Sequence, residues 1–135
     1  MSSKINKGII LINLGSPAST KVSDVRKYLN QFLMDERVID KPWLLRALLV
    51  RGIIVPFRAP KSAEAYEKIW IKEGSPLIVY TEQLRDVLEQ KIEYPVEVCM
   101  RYGNPTPQEA FNALLKRNPS IKEVVVLPLY PHYAV

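Results

Sequence analysis

Three short apolar runs constrain the fold of this chain more than any other feature of its sequence. They cover residues 8–14, 96–102 and 123–130. The first and third are nearly continuous in β-branched and aliphatic residues, which is typical of parallel strands covered on both faces. The second alternates more between apolar and polar residues, which favours a place near the edge of a sheet. The runs therefore predict a parallel β-sheet.

Apolar residues at helical spacing predict helices between these strands. One helix carries Val22, Val25, Leu29, Phe32 and Leu33, the next Leu44, Leu45, Leu48 and Leu49, and a short helix after Pro60 carries Tyr66, Ile69 and Trp70. Ser75 and Pro76 predict the N-cap and first residue of another helix, because proline needs no N–H partner there. Its predicted apolar face consists of Leu77, Leu84, Val87 and Leu88.

Residues 106–109, Thr-Pro-Gln-Glu, form a capping box that predicts the start of the last helix. That helix ends before Asn118 and joins the second strand to the third in a βαβ unit, which should be right-handed. The segment of about 20–95 then forms a helical insertion, such as a lid or lip. Because a three-stranded parallel sheet leaves both edges open, we expect residues 1–135 to be a truncated part of a larger domain.

The formal net charge of +5 favours anionic partners, but it is spread out, without a run of five like charges. A nucleic-acid partner is therefore not expected. Cys99 lies in an apolar strand between Val98 and Met100, which favours a packed thiol over a reactive one.

Ligands of open parallel sheets bind outside the carboxyl ends of the strands. This rule selects the loops at 13–17, 101–105 and 130–133, whose aromatic residues, Arg101 and His132 suit a flat, partly apolar ligand with acid groups. Structural roles remain open for each: a turn that needs the backbone freedom of glycine at Gly15, a helix cap or an ion pair for Arg101, and a surface hydrogen bond for His132. The first loop lacks a P-loop lysine and the GxGxxG spacing, so nucleotide binding is disfavoured.

Arg58 lies between Pro56 and Pro60, which predicts a rigid connector that directs an arginine towards an anion. A solvated arginine is the alternative.

Five motifs occur in a fixed order: residues 10–17 (Ile-Leu-Ile-Asn-Leu-Gly-Ser-Pro), 28–39, 66–77, 100–105 and 127–133. In this order they resemble ferrochelatases over essentially the whole chain. The resemblance implies two Rossmann-like lobes with a porphyrin in the cleft between them, this chain being the first lobe, in part. It implies an enzyme, a lyase of heme biosynthesis, that inserts ferrous iron as a substrate into protoporphyrin IX to form protoheme.

The resemblance also implies porphyrin contacts in this chain. Leu14 matches a position near the metal face of the macrocycle, and the other matches are the lip residues Leu29, Phe32, Leu33 and Val38, the propionate neighbours Arg58 and Ser75, and the pocket-wall residues Arg101, Tyr102 and Tyr130. The family's catalytic histidine and glutamate belong to a later part of its sequence. No catalytic residue is therefore assigned here, and His132 is the one candidate metal ligand.

Further expectations follow from the resemblance. The 135 residues alone should not insert iron. No organic cofactor is expected, and an iron–sulfur cluster is left open. We expect a cytoplasmic protein, with peripheral contact to acidic lipid through the lip and residues 44–55 as a hypothesis. The alternatives are a related chelatase acting on coproporphyrin or sirohydrochlorin, or a non-catalytic α/β module that binds small anions.

Overall fold

The computed structural model describes residues 6–130, in which three strands and their helices follow the predicted order. The strands are β1 (Lys7–Gly15), β2 (Val96–Tyr102) and β3 (Glu123–Pro128). The helices are α1 (Val22–Leu33), α2 (Trp43–Leu49), α3 (Val55–Ile69), α4 (Pro76–Lys91) and α5 (Pro107–Arg117), and a π-helical turn (Val50–Ile54) joins α2 to α3.

The strands form one parallel sheet in the order β2-β1-β3. In the central strand, Leu11 lies opposite Val98 on one side and Leu127 on the other. The predicted fold class, a parallel α/β sheet flanked by helices, is confirmed, and so is the edge position of β2 within the described sheet. Because β3 pairs with β1 and not with β2, the connection through α5 crosses the central strand. The handedness of that crossover stays a prediction.

One helix packs on each face of β1 and β2. On one face, Leu11 and Met100 are fully buried against residues of α4 such as Leu77 and Leu88. On the other face, Ile10 and Cys99 pack on α5 at Ala110, Leu114 and nearby residues. Full burial of one such aliphatic side chain stabilises the fold by about 1.5–3 kcal/mol. These two layers therefore hold the sheet and fix the strand ends relative to α4 and α5.

Two predicted helix starts are confirmed. Helix α4 begins at Pro76 and α5 at Pro107. The Thr106 hydroxyl accepts a hydrogen bond from the Glu109 N–H at 3.2 Å, which satisfies one of the free donors in the first turn of α5. Helix α5 ends at Arg117, immediately before Asn118 as predicted.

The predicted apolar face of α4 is half wrong. Leu77 and Leu88 pack on the sheet, but Leu84 and Val87 are exposed. The buried face is rotated towards Ile78, so at about 100° per residue Leu84 falls at its rim and Val87 beyond it. The face also includes Thr81, a polar residue that a purely apolar pattern passes over.

The expectation that β3 is covered on both faces is wrong for residues 6–130. Val125, Val126 and Leu127 keep 44%, 53% and 47% of their surface exposed. Helix α5 packs against β2 and β1, and of β3 only Val124 joins the cluster beneath it. Nearly continuous aliphatic composition identified a strand correctly but did not report its burial.

The described chain divides into two compact units. We call residues 6–15 and 77–130 the sheet unit and residues 16–76 the helical unit. The predicted insertion of about 20–95 covers the helical unit and also α4, which packs on the sheet. Its role as a lid or lip stays a prediction.

In the helical unit, α1 packs against α3. The prediction of a short helix after Pro60 is wrong, because α3 already begins at Val55. Pro56 directly follows the π-helical turn, so helical backbone continues through both prolines. Val55, Ala59 and Ala63 are buried at four-residue spacing, and this packing outweighs the hydrogen bond lost at Pro60. Arg58 consequently lies on a helix and not in a rigid connector.

Within the described range, none of the helices combines the length and the apolar character that crossing a bilayer requires.

Candidate functional site

The sheet register brings four predicted site residues, Leu14, Arg101, Tyr102 and Tyr130, to one edge. Asn13 pairs with Met100 and Gly15 with Tyr102, so Leu14 and Arg101 lie side by side between these pairs. Ile12 pairs with Pro128, and Tyr130 lies two residues beyond Pro128, as Leu14 does beyond Ile12. Since side chains alternate along strands, Leu14 and Arg101 belong to the α5 face, as do Ile12 and Cys99. The carboxyl ends of the strands thus form one candidate site.

The turn after β1 is fixed by a close approach of two strands. Gly15 has φ 128°, a left-handed value that L side chains rarely adopt. A Cβ at this position would clash with the Tyr102 carbonyl oxygen. Glycine is therefore required here on both conformational and steric grounds. The predicted need for backbone freedom in this turn is confirmed.

A hydrogen-bond chain that the sequence did not reveal supports the same strand end. The Asn13 Nδ2 donates to the Thr81 Oγ1 at 3.0 Å, and the Thr81 hydroxyl donates to the Leu77 carbonyl oxygen at 2.6 Å. The Asn13 Oδ1 accepts from the Leu14 N–H at 2.7 Å. Thr81 is buried, with 3% of its surface exposed. The available signal was a threonine at helical spacing from Leu77 within the apolar face of α4.

Arg101 and Tyr102 form the second strand end. The Arg101 Cζ lies 5.5 Å from the centroid of the Tyr102 ring, within range of a cation–π contact. Tyr102 is buried, while Arg101 and Tyr130 are half-buried. The edge thus offers a guanidinium held over an aromatic ring, next to the half-buried Leu14. Such groups can contact an apolar ring and pair with a carboxylate.

The other six predicted contacts belong to the helical unit. Leu29, Leu33 and Ser75 are buried, Phe32 is half-buried, and Val38 and Arg58 are exposed. Tyr28 and Phe32 stack, with ring centroids 6.2 Å apart and planes inclined by 6°. The burial of Leu29 and Leu33 places them in the packing of α1. Ligand contact by these six residues stays a prediction.

The outer edge of β2 is closed by side chains and a loop. The Val96 N–H donates to the Glu89 Oε1 at 2.9 Å, and the Val96 carbonyl accepts from the Arg117 Nη1 at 3.1 Å. Arg117 also pairs with Glu89 at 2.7 Å and with Glu97 at 2.9 Å. Further along, the Met100 N–H donates to the Pro105 carbonyl at 2.7 Å. These partners occupy positions that a neighbouring strand would otherwise use.

Glu89, Glu97 and Arg117 form a charged cluster at this edge, and in it Glu89 and Arg117 shift each other's pKa. Partial burial acts to raise the pKa of Glu89, but hydrogen bonds from Arg117 and from the Val96 N–H outweigh it and hold that pKa below its ordinary value. The hydrogen bond to Glu89 raises the pKa of Arg117. Between these contacts, Val98 faces a cavity of 290 Å³ whose other lining residues include Arg85 and Glu109. That cavity lies along the strand and not at its carboxyl end.

Within residues 6–130, no three His, Cys, Asp or Glu side chains are grouped as metal ligands would be. Cys99 is fully buried, and burial raises the pKa of its thiol to about 11. The predicted packed thiol is therefore confirmed. His132 and the rest of the loop after Tyr130 lie outside the described residues.

Comparison with known proteins settles the family. The family model "Ferrochelatase" matches residues 6–135. This chain belongs to the ferrochelatase family. The prediction made from its five motifs is thereby confirmed.

Relatives from several bacteria share this similarity. The chain is 43% identical to a ferrochelatase of Vibrio parahaemolyticus over 134 residues, 99% of the chain and 41% of that protein. It is 46% identical to one of Bdellovibrio bacteriovorus over 130 residues, 95% of the chain and 38% of the relative. It is 47% identical to one of Opitutus terrae over 133 residues, with 96% and 38% covered. The chain therefore spans about two fifths of the length of these relatives.

Proposed function

We propose that this chain provides one wall of the porphyrin site of a ferrochelatase, which inserts ferrous iron into protoporphyrin IX to form protoheme. Iron is a substrate in this reaction and not a resident cofactor. The observation that carries the proposal is the register that places Leu14 and Arg101 side by side, at the level of Tyr130, in a member of this family. This edge is also where parallel α/β sheets bind their ligands.

The chemistry of the edge suits the substrate. Protoporphyrin IX is a flat apolar disc that carries two carboxylates. Leu14 and Tyr130 offer apolar and aromatic surface to the disc, while Arg101 offers a charge-assisted hydrogen bond to a carboxylate. The contact of Arg101 with the Tyr102 ring restricts the directions that its guanidinium can take. The role of these residues is thus to bind and orient the macrocycle.

Insertion of iron needs chemical groups beyond those that bind the porphyrin. Two pyrrole protons must pass to a base, and the iron must be delivered by ligands of its own. We assign neither task to residues 6–130, and we expect the 135 residues alone to bind porphyrin without inserting metal. A fluorimetric zinc-insertion assay on the purified chain tests this. A rate clearly above the uncatalysed background would contradict it.

Porphyrin binding is tested by titrating the chain with protoporphyrin IX while the Soret absorbance is recorded. The wild-type chain should shift the Soret band saturably, and Arg101→Ala should weaken binding about tenfold or more, since charge-assisted hydrogen bonds contribute about 1.5–3 kcal/mol. Arg85→Ala is the matched control, because Arg85 pairs with Asp86 and lines the cavity beside β2. Equal losses in both variants, or no shift for the wild type, would contradict the proposal.

Titration with coproporphyrin and sirohydrochlorin separates the related chelatases. These tetrapyrroles carry more carboxylates than protoporphyrin, and the predicted lip residues Leu29, Phe32 and Leu33 are all apolar. We therefore expect protoporphyrin to bind most tightly. Tighter binding of either competitor would reassign the substrate, and binding of inorganic phosphate alone would favour the small-anion module.

We also propose that the helical unit makes peripheral contact with acidic lipid on the cytoplasmic side. Trp43, Leu44, Leu48 and Phe57 keep 59%, 67%, 63% and 75% of their surface exposed. Exposed cations accompany them at Lys41, Arg51 and Arg58. Apolar side chains beside cations are the composition that binds anionic membrane surfaces.

Vesicle co-sedimentation tests this contact. The chain should pellet with vesicles that contain phosphatidylglycerol at low salt, and it should pellet less with vesicles of pure phosphatidylcholine. The reason is that the electrostatic attraction of the exposed cations to the vesicle requires anionic lipid. Leu44→Ser with Leu48→Ser should reduce pelleting, whereas Leu84→Ser on α4 should not. Failure of the wild type to pellet at low salt would exclude the contact.

A further inference from the structure

We infer that Thr81 is a positioning residue of the porphyrin site, and this inference rests on the function proposed above. Thr81 lies on α4 and is not among the predicted contacts. It acts through Asn13: its hydroxyl sets the orientation of the Asn13 amide, and that amide holds the backbone N–H of Leu14. Leu14 is the predicted contact nearest the metal face of the macrocycle.

The direction of each hydrogen bond follows from the protons available. The Thr81 hydroxyl has one proton, which it donates to the Leu77 carbonyl oxygen at 2.6 Å. It can therefore only accept from Asn13. Only the amide nitrogen of Asn13 can donate, so Nδ2 must face Thr81 and Oδ1 must face the other way. The Leu14 N–H lies there, at 2.7 Å from Oδ1.

Burial makes this arrangement hard to replace. Thr81 keeps only 3% of its surface exposed, so water has little access to the Asn13 amide from that side. Without the hydroxyl, the Nδ2 of the half-buried Asn13 would lose its partner on the side that Thr81 shields from water, which is destabilising. The amide would be released to rotate, and Leu14 would lose its acceptor.

The same short segment is held from its other end. Gly15 approaches the Tyr102 carbonyl so closely that no side chain fits. Leu14 therefore lies between a residue fixed by a side-chain hydrogen bond and a residue fixed by strand contact. Both restraints belong to the sheet unit, and together they define how Leu14 is presented beside Arg101.

Two substitutions separate the hydroxyl from the shape of the side chain. Thr81→Val keeps the shape and removes the hydroxyl, while Thr81→Ser keeps the hydroxyl. We expect Thr81→Val to weaken protoporphyrin binding about three- to tenfold in the Soret titration, the range for one hydrogen bond. Thr81→Ser should restore affinity to within about twofold of the wild type.

Amide hydrogen exchange of the free chain, followed by NMR, gives a readout without porphyrin. Thr81→Val should speed exchange of the Leu14 N–H about tenfold, while the N–H of Leu114 in α5 stays unchanged. Unchanged Leu14 exchange in Thr81→Val would overturn the inference. So would Thr81→Ser and Thr81→Val weakening porphyrin binding equally, since that would show a packing role.

A double variant checks that the two residues act as one unit. In an Asn13→Ala background, Thr81→Val should weaken porphyrin binding no further, because the link to Leu14 is already lost. Independent, additive losses would contradict the proposed chain. If the wild-type chain binds no porphyrin, the proposed function fails and the inference falls with it. If the wild type binds and Thr81→Val binds equally well, only the inference is overturned.

Discussion

The two outer strands of the described sheet are both rich in aliphatic residues but have opposite surroundings. In β2, Val96, Val98 and Met100 are buried, and side chains and a loop occupy its outer backbone groups. In β3, Val125 and Val126 remain about half exposed. The difference shows that the burial of a strand and the pairing of its backbone groups depend on the residues that surround it in the fold. Glu89 and Arg117 close β2, and they lie 7 and 21 positions from Val96 in the sequence.

The comparison also explains why β2 can lie at the edge of the described sheet without pairing to another chain. An edge strand with free N–H and C=O groups is a template for pairing with another chain. At Val96, the Glu89 carboxylate accepts the hydrogen bond and the Arg117 guanidinium donates the hydrogen bond that a further strand would otherwise make. Charged residues at this edge would also oppose docking of an apolar strand. The following predictions test this contrast, beginning with the largest effect.

Thiol reactivity should differ most between the two strands. Cys99 of β2 is buried with a pKa of about 11, so little thiolate is present at pH 8. In a Cys99→Ala background, Val126→Cys would place a thiol at an exposed position of β3. We expect the new thiol to react with Ellman's reagent at least about 100-fold faster than Cys99 in the folded chain. Similar rates would mean that β2 opens as readily as β3.

Truncation of matched valines should separate the strands in stability. Val96→Ala removes two fully buried carbon atoms and should lower the free energy of unfolding by about 2–3 kcal/mol. Val126→Ala, at a site with 53% exposure, should lower it by less than about 1 kcal/mol. Urea denaturation measures both values. Equal losses would show that β3 is as well covered as β2.

Removal of the Arg117 guanidinium should leave the outer edge of β2 available for pairing with another chain. Arg117→Met keeps an aliphatic chain but leaves Glu89 and Glu97 without their shared partner. Because these groups are partly exposed, we expect a loss of only about 1 kcal/mol in the free energy of unfolding. Size-exclusion chromatography should also show more association than for Lys116→Met, a control on the same helix. A variant as stable and monomeric as the control would refute the closing role of Arg117.

The smallest effect should be the pH dependence that Glu89 gives to the free energy of unfolding. The folded-state pKa of Glu89 is lowered, so its contribution to stability is full above the ordinary glutamate pKa of about 4.3. That contribution is lost as the pH falls through the lowered pKa. Glu89→Gln should therefore cost a few tenths of a kcal/mol at pH 7 and make the acid side of the stability profile less steep. Profiles of identical slope for both proteins would contradict the shift.

The sequence predicted the parts of the fold that depend on local pattern. The bounds of β2, the start of α4 at Pro76 and the N-cap at Thr106 follow from residues close together in the chain. The need for glycine at position 15 was also visible, although its cause, the Tyr102 carbonyl, was not. Parallel strands align their carboxyl ends, so the meeting of Leu14, Arg101 and Tyr130 could be inferred from the order of elements.

The parts that were missed depend on contacts between distant residues. The exposure of β3 reflects which strand lies beside it, and composition does not contain that information. Helix α3 passes through Pro60 because Val55, Ala59 and Ala63 are buried where α3 packs against α1, and this burial outweighs the local preference of proline. The bond from Asn13 to Thr81 joins residues 68 positions apart. Neither residue carries a motif that would have suggested the pairing.

Hydrogen–deuterium exchange with and without protoporphyrin IX tests most directly whether the strand ends form the porphyrin wall. Mass spectrometry of the purified chain would follow peptides from both edges of the sheet and from its carboxyl end. We predict slower exchange in 13–17 and 101–105, and no change in 107–117, which forms α5. Protection confined to the cavity beside β2, or no protection in 13–17 and 101–105 at saturating porphyrin, would contradict the account.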